Sequence, residues 1–558
     1  MVRFLEVSHQ RAYLRTKEGE NRQQQNIFLL WLNKTSGTSK VSEKERRPKK
    51  MKNSVINFLY LTAGDYPSAP CVTDGQGVLT FGQLFSSASD LAEELKQGRE
   101  TNQPILVYLP KGISAIVSFA GILISGNFYA PVDIRSPKNR LKAIIENLVP
   151  YRIVSARAYA EDLQELSVPD ERIIFLEDIP QGTRPVDELI AKARETTDQI
   201  IDTDPCYVMH TSGSTGIPKG VVIPHRGVID YIEWAIPCLN VANNEVIGSQ
   251  APLYFDNSTL DIYLSWAVGA KLDLIPDGLF VFPVRLIEYM EAQEITFIFF
   301  VPSVLVNISK MNLLRPDRLP ALKKVVFAGE VMPTKHLAYW QEILPDKLYV
   351  NLYGPTEITV DCTYFIVNQK YEPHESLPIG FPCHNSGILI LNDEDRPARA
   401  GEQGELCVRG SSLALGYWNN PEKTEQVFTQ NPLQKNYPDR IYRTGDLVYQ
   451  NGRNEIIYVG RKDSQIKHMG NRIELGEIET AVMAIPHIDN CCVLYNEDKQ
   501  EITLFYEGKA EISVSDLRKS LIQTLPNYMI PRKSHYFEKL PFNPNGKIDR
   551  KALKNEFF

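Results

Sequence analysis

The sequence predicts an α/β protein built of several layers, ending in a β-rich segment and a small α+β unit. Three observations predict it. From about Val55 to about Asn385, short apolar runs alternate with stretches of helical spacing, the pattern of largely parallel sheets covered by helices. From about Asn385 onward, short strands follow one another with turn residues between them. The last ninety or so residues then mix helices and strands in a pattern of their own. A chain of 558 residues exceeds one ordinary core, so two to four domains are expected.

Along the chain, Phe81 to Leu95 has helical spacing and follows Thr80, a candidate cap. Pro104 to Leu109 reads as a short apolar strand, and Ser114 to Ser125 as an apolar helix stopped by Gly126. Ile153 to Ser155 and Ile173 to Leu176 are strand candidates. After a helix beginning near Tyr231 the alternation recurs: strand Lys271 to Ile275, helix Val284 to Glu291, strand Thr296 to Val301. Gly387 to Leu391, Gly404 to Arg409, Ile441 to Val448 and Glu455 to Val459 form the β-rich part, about residues 385–462. The final unit, 463–558, takes helix Gly476 to Ala484, strands Asn490 to Tyr495 and Ile502 to Glu507, and helix Val514 to Gln523.

Composition narrows the function classes. The chain is 43% hydrophobic and 23% charged, as soluble globular proteins are. No apolar run of about 18 residues is present, and Ile27 to Leu32 is too short for a signal core, so neither a membrane span nor a membrane partner is expected. A net charge of −7 argues against nucleic acid. Residues 1–50 alone carry +7 and are rich in Gln, Asn and Ser; they read as a disordered basic leader, with the core domain starting at Met51 and running to 462. Eight scattered cysteines include no C-x-x-C pair, which fits a reducing cytoplasm and no zinc site. No H-E-x-x-H occurs among nine histidines.

The sharpest local signal is Thr211-Ser212-Gly213-Ser214-Thr215-Gly216-Ile-Pro-Lys219-Gly220, following the strand-like Cys206 to Met209. Small and hydroxyl residues with glycines let backbone N–H groups wrap a polyphosphate, and Lys219 adds a cation. It is not a Walker A loop, because Lys219 is followed by Gly220. Four further motifs follow in order: Asn351-Leu-Tyr353-Gly354-Pro-Thr356-Glu357, Tyr442-Arg-Thr-Gly-Asp446, Gly460-Arg461-Lys-Asp463 and Asn543-Pro-Asn-Gly-Lys547.

These motifs, in this order, resemble the adenylate-forming superfamily, and within it the amino-acid adenylation domains of nonribosomal peptide synthesis, over about residues 52–558. The resemblance implies a large N-terminal domain of two α/β layered subdomains plus the β-rich subdomain, with a separate, mobile C-terminal domain turning about the hinge Asp463. It implies ATP and Mg²⁺. Thr211 to Gly216 and Lys219 would hold the phosphates, and Tyr353 would stack on adenine. Thr356 would meet the α-phosphate, Asp446 the ribose diol and Arg461 its vicinity. Glu357 would hold Mg²⁺. Gly329, Glu330, Asn351, Gly354 and Tyr458 join the nucleotide site on the same basis. Lys547 matches the catalytic lysine that bridges the substrate carboxylate and the α-phosphate. The charges of the Asn471 to Glu479 stretch, Glu477 and Glu479 above all, read as a solvated helix face.

Asp256, in Phe255-Asp256-Asn257-Ser258, stands where amino-acid-activating members pair the substrate ammonium; acyl- and aryl-CoA ligases generally lack it. The competing reading of Asp256 is a helix N-cap. The motif alignment adds Asn257, Leu260, Phe299, Val326, Ala328, Leu352, Val360 and Asp361 to the pocket. Most are apolar and none is Lys or Arg, so a small aliphatic or cyclic amino acid is expected, L-proline first and alanine, D-alanine included, second. With no condensation or carrier segment in the chain, the expected acceptor is the phosphopantetheine thiol of a free-standing carrier protein. An acid–CoA ligase on the same fold and a non-catalytic nucleotide-binding regulator are the alternatives. His210 and His468-Met469 depart from the family pattern; His210 reads as local packing.

Overall fold

The computed structural model describes residues 52–97, 100–180, 184–213, 218–372, 375–462, 465–542 and 548–558. The chain divides into two units, 1–51 and 52–558. The leader expected over 1–50, and Met51 with it, lies outside the described residues.

Two large sheets organise the second unit. In one, six strands run parallel in the order Leu348–Tyr353, Lys324–Phe327, Phe297–Phe300, Val246–Ser249, Lys271–Leu274 and Pro70–Thr73, with antiparallel strands closing both edges. In the other, Pro205–Thr211, Phe128–Pro131, Pro104–Tyr108, Arg152–Ser155 and Ile173–Phe175 are parallel, and Lys219–Pro224 and Gly416–Tyr417 extend it antiparallel. Continuous apolar runs such as Phe297–Phe300 are buried at every position, as strands covered on both faces require.

The helices between the sheets have local causes. Phe81–Lys96 starts on a capping box: Gln83 N–H donates to Thr80 Oγ1 at 3.2 Å and Gln83 Oε1 accepts from Thr80 N–H at 2.9 Å. Ile113–Ile124 is apolar on all sides because it is buried on all sides. The helix Asn257–Val268 packs against both sheets; Tyr263 Oη lies 2.9 Å from Tyr129 Oη, and Thr259 Oγ1 donates to Tyr207 Oη at 3.1 Å.

The β-rich part is a five-stranded antiparallel sheet of Ser386–Leu391, Gly404–Gly410, Arg440–Gln450, Phe428–Gln430 and Ile456–Arg461. Beyond it a hairpin, Gln465–His468 and Asn471–Glu474, turns through Met469 and Gly470, whose φ values are 51° and 76°. It leads into helix Leu475–Met483 and a three-stranded sheet of Ile488–Asn496, Glu501–Gly508 and Lys533–Phe537. Ile473, Leu475, Ile478, Val493, Leu504 and Met529 build a core of this part's own.

Glycine is required where Phe81–Lys96 and Ile113–Ile124 cross. A Cβ on Gly121 would lie 2.8 Å from the Ala88 carbonyl oxygen and 2.9 Å from Leu91 Cδ2. Gly121→Ala should therefore push the helices apart and destabilise the protein by about 1–3 kcal/mol, read as a lower denaturant midpoint.

Candidate functional site

The parallel strands of the nine-stranded sheet end on one edge, the usual place for a ligand in an open α/β sheet. Phe299, Val326 and Leu352 come from its last strand turns, Ala328 follows one strand, and Leu260 enters from the helix beginning at Asn257. All five, with Val360, are buried. Asn257 is half-buried at the first position of that helix.

Asp256 precedes the helix, and its side chain makes no capping hydrogen bond. The carboxyl is instead turned toward the strand-end groups. Burial pushes it above the usual carboxylate range. The nearby Thr356 side chain opposes that shift; the Glu357 charge adds to it, and Arg472 and Lys467 draw it down. Asp361, 2% exposed, accepts a 2.6 Å hydrogen bond from Tyr231 Oη. Burial lifts its carboxyl to about 7, the Asp256 charge acting in the same sense. That contact answers what Asp361 does in an otherwise apolar lining.

Glu357 is fully buried. Arg472 Nη1 donates to one carboxylate oxygen at 2.6 Å and Tyr417 Oη to the other at 2.7 Å. Burial acts to raise its pKa, but the Arg472 and Lys219 charges hold it at about 2, fully ionised. Among the described residues no group of three or more His, Cys, Asp or Glu could hold a metal ion. A single ionised carboxylate suits Mg²⁺, which takes one or two protein carboxylates and completes its shell with water and phosphate oxygens.

Tyr353 Oη donates to Asp446 Oδ2, and Arg461 Nη1 donates to Asp446 Oδ1 at 3.0 Å. Lys467 Nζ stands 5.3 Å above the Tyr353 ring, and the Tyr458 ring lies 6.2 Å from it. Asn351 Nδ2 ties its strand to the Pro378 carbonyl at 2.8 Å. Gly329 takes φ +92°, and both oxygens of Glu330 accept backbone N–H bonds, from Ser303 at 2.9 Å and Gly470 at 2.8 Å.

The phosphate-loop candidates meet the C-terminal part. Ser212 Oγ donates to the Arg472 carbonyl at 2.8 Å and Gly213 N–H to Glu477 at 3.2 Å. Lys219 Nζ is 3.6 Å from Glu474 and 5.3 Å from the Tyr417 ring centre. Thr211 Oγ1 is buried with no partner among the described residues. Ser214, Thr215, Gly216, the hinge candidate Asp463 and Lys547 lie outside the described residues.

One expectation is overturned. Glu477 is 1% exposed and paired with Arg140, and Glu479 accepts from Val493 N–H and Arg550, both at 2.7 Å. Neither lies on a solvated face: both sit in helix Leu475–Met483, Glu477 turned to Arg140 and Glu479 to the neighbouring strand and Arg550. Sequence reasoning gave no site role to Tyr231 or Arg140, and none to Lys467, Arg472 and Glu474, although those three lie in the motif stretches Gly460 to Lys467 and Asn471 to Glu479. His210 has both ring nitrogens buried without a partner among the described residues, and burial together with the Arg140 charge lowers its pKa to about 3, so it packs as a neutral ring. A separate cavity of about 570 Å³ between the sheets, lined by Lys111, Phe119, Pro252 and Ile275 among others, contains none of the site residues above.

The sequence model described as AMP-binding enzyme matches residues 59–418. Delta-poly-L-ornithine synthetase of Acinetobacter baumannii is 31% identical over 528 residues, 93% of this chain but only 38% of that relative's length. A D-alanine–D-alanyl carrier protein ligase of Bacillus anthracis is 32% identical over 490 residues, covering 86% of this chain and 94% of the relative. Among solved structures, the Vibrio cholerae adenylation domain AlmE, in complex with glycyl-adenosine-5'-phosphate, superposes with a TM-score of 0.79 at 22% identity, covering 93% and 99% of the two chains; this shows the shared fold.

Asp361 gives a pH test. Its native value of about 7 lies above the roughly 3.9 of an unfolded aspartate. The folded protein keeps a proton that the unfolded chain has released, so this group's contribution to stability is lost as pH rises from about 4 through 7. Asp361→Asn should match wild type near pH 4, gain stability steadily to pH 7, and hold a constant gain, on the order of a few kcal/mol, above it. Urea denaturation across that range measures it.

Proposed function

Because the chain belongs to the AMP-binding enzyme family, we propose that it activates a small amino acid with ATP, forming an aminoacyl-adenylate, and transfers the aminoacyl group to the phosphopantetheine thiol of a separate carrier protein. The observation that carries this reading is Asp256: a carboxylate beside an apolar, buried wall, unused as a helix cap, whose desolvation a substrate ammonium would offset.

In the first half-reaction the substrate carboxylate attacks the α-phosphorus of ATP, and pyrophosphate leaves. No protein nucleophile is needed. The protein brings two anions together and neutralises their repulsion by position and fixed charge. Asp256 orients the amine, Tyr353 and Asp446 hold the nucleoside with Arg461 and Tyr458 beside them, and Thr211, Ser212, Gly213 and Lys219 are proposed to meet the phosphates. Glu357 is the carboxylate for Mg²⁺, which supplies charge neutralisation at the phosphate oxygens when bound. Lys547 is proposed to meet the α-phosphate and substrate carboxylate in this step. Residues 463–558 are proposed to turn as a domain about Asp463 for the second half-reaction, in which the thiolate attacks the acyl carbon and AMP leaves.

The small apolar lining supports L-proline as the first substrate and D-alanine as the second. One methylene changes binding by only about 1–3 kcal/mol, so an assay over all amino acids decides between them. All eight cysteines are free, which supports a reducing, cytoplasmic setting. No helix among the described residues is long and apolar enough to cross a membrane.

ATP–pyrophosphate exchange over all amino acids, D-alanine included, tests the reading: one strong peak is expected, first at proline. A flat response would sink amino-acid activation, and a peak elsewhere would replace proline. Asp256→Ala should cut that exchange by at least about a hundredfold, the loss of a charge-assisted contact made to the substrate. Full activity of the variant with a simple carboxylic acid would favour an acid–CoA ligase. Unchanged exchange in Lys547→Ala would remove the catalytic role given to that lysine.

A further inference from the structure

The ammonium of Lys111 sits where three backbone carbonyls converge. Lys111 follows the strand Pro104–Tyr108 of one large sheet, and its side chain reaches across to the other. Nζ donates to the carbonyls of Ser249, Gln250 and Ile275, each at 3.0 Å. An ammonium has three N–H bonds, so all of them are used. Asp277 adds a carboxylate at 3.6 Å. Gln250 and Ile275 stand one residue beyond the parallel strands Val246–Ser249 and Lys271–Leu274, where ladder pairing stops and a carbonyl needs another donor. Carbonyl oxygens turned onto one point, with a carboxylate beside them, are the ligand set of a monovalent cation. The Lys111 side chain is 8% exposed. Burial lowers its pKa to about 8, the Asp277 charge opposing, so the group is charged at neutral pH.

What the ammonium holds leads to Asp256. From Gln250 to Asp256 the chain forms neither strand nor helix, so its path depends on anchors. Two come from the opposite sheet. Lys111 holds the Gln250 carbonyl, and Asp133, past the strand Phe128–Pro131, accepts from Tyr254 Oη at 3.0 Å. Gln250 also ties the loop to the apolar wall: its Oε1 accepts from Val301 N–H at 3.1 Å, next to the strand that carries Phe299. A turn then closes between Phe255 N–H and the Pro252 carbonyl at 3.0 Å, just before Asp256. Without the ammonium, three carbonyl dipoles would face one another uncompensated, and their repulsion would spread the strand ends from which this loop starts.

We propose that the carbonyls of Ser249, Gln250 and Ile275 form a monovalent-cation seat that Lys111 fills from its own chain, and that this tethered cation is a positioning residue for the substrate amine, fixing the root of the loop that carries Asp256. The proposal rests on the amine-binding role given above to Asp256. The hydrogen-bond and ion-pair partners of Lys111 include none of the pocket or nucleotide groups, so its effect passes through the loop. A neutral hydroxyl in this place would serve one carbonyl; a cation serves three. The seat is also within reach of solvent ions. Lys111, Ile275 and Asp277 line the cavity of about 570 Å³ between the sheets, and the Asp277 side chain is 41% exposed.

The test is ATP–pyrophosphate exchange by the full chain, with the amino acid at which wild type peaks. Lys111→Ala should raise the KM for that amino acid at least about tenfold and leave the KM for ATP within about twofold. Propylammonium, the part of the side chain that alanine lacks, should restore the amino-acid KM. Tetramethylammonium at the same concentration, which has no N–H bond, should not. Lys111→Met fills the space without the charge and should show the raised KM with no recovery. Should Lys111→Ala fail to fold, the KM split in Lys111→Met decides. An unchanged amino-acid KM, an equal rise for ATP, or no difference between the two ions overturns the proposal alone. Loss of folded protein in both variants that propylammonium does not reverse, read by circular dichroism, overturns it as well and marks Lys111 as purely structural. Absence of amino-acid-dependent exchange in wild type overturns it together with the proposed function.

Discussion

Crowded negative charge at the strand ends is the constraint that the rest of the site obeys. Asp256, Glu357 and Asp361 all lie where the parallel strands of the large sheet finish, beside walls of Leu, Phe and Val. Glu357 and Asp361 are buried and Asp256 is half-buried; carboxylates taken out of water need cations or donors, and each of these meets the need differently. Glu357 has Arg472, Lys219 and Tyr417 and stays ionised. Asp361 takes one phenolic hydrogen bond and holds its proton to about 7. Asp256 has the Thr356 hydroxyl and, at a greater remove, Arg472 and Lys467. Unlike the other two it has no ion pair or short hydrogen bond among the described residues, and a substrate ammonium would complete it.

Holding those carboxyl groups in place strains the backbone. Thr359 and Val360, both β-branched, take φ values of 59° and 71°, a region costly for such residues. Two glycines leave room for this bend. A Cβ on Gly227 would sit 2.5 Å from Thr359 Oγ1, and one on Gly354 would sit 2.5 Å from the Asp361 Cα. The Thr359 hydroxyl is anchored to the Ser412 carbonyl at 2.8 Å. The kink carries Val360 and Asp361 toward the pocket, where a straight strand would direct alternate side chains away.

Much of this was legible in the sequence because it is local. Apolar runs announced the parallel strands, Thr80 and Gln83 announced a capped helix, and glycine-rich motifs announced the strand-end loops. The pairings that set the electrostatics were not legible. Tyr231 meets Asp361 across 130 residues and Arg472 meets Glu357 across 115, and no periodicity encodes such contacts. Glu477 misled for the same reason. At the start of an amphipathic helix a glutamate is normally solvated, and only the docking of the C-terminal part onto Arg140 and the phosphate loop buries it.

The nature of that docking argues for reversibility. The parts on either side each have their own apolar core. What joins them near the site is polar: Arg140 with Glu477, Arg472 with Glu357, Lys219 with Glu474, and Gly470 N–H with Glu330. Polar contacts of this kind can be exchanged for water or ligand with a small net change in free energy, whereas separating a shared apolar core would cost tens of cal/mol for every Å² exposed. Close approach depends on glycine, since a Cβ on Gly470 would come within 2.8 Å of Val301 Cγ1. An interface held by replaceable charges and one tight backbone contact can be opened and reformed, which is what the proposed pair of half-reactions would require of it.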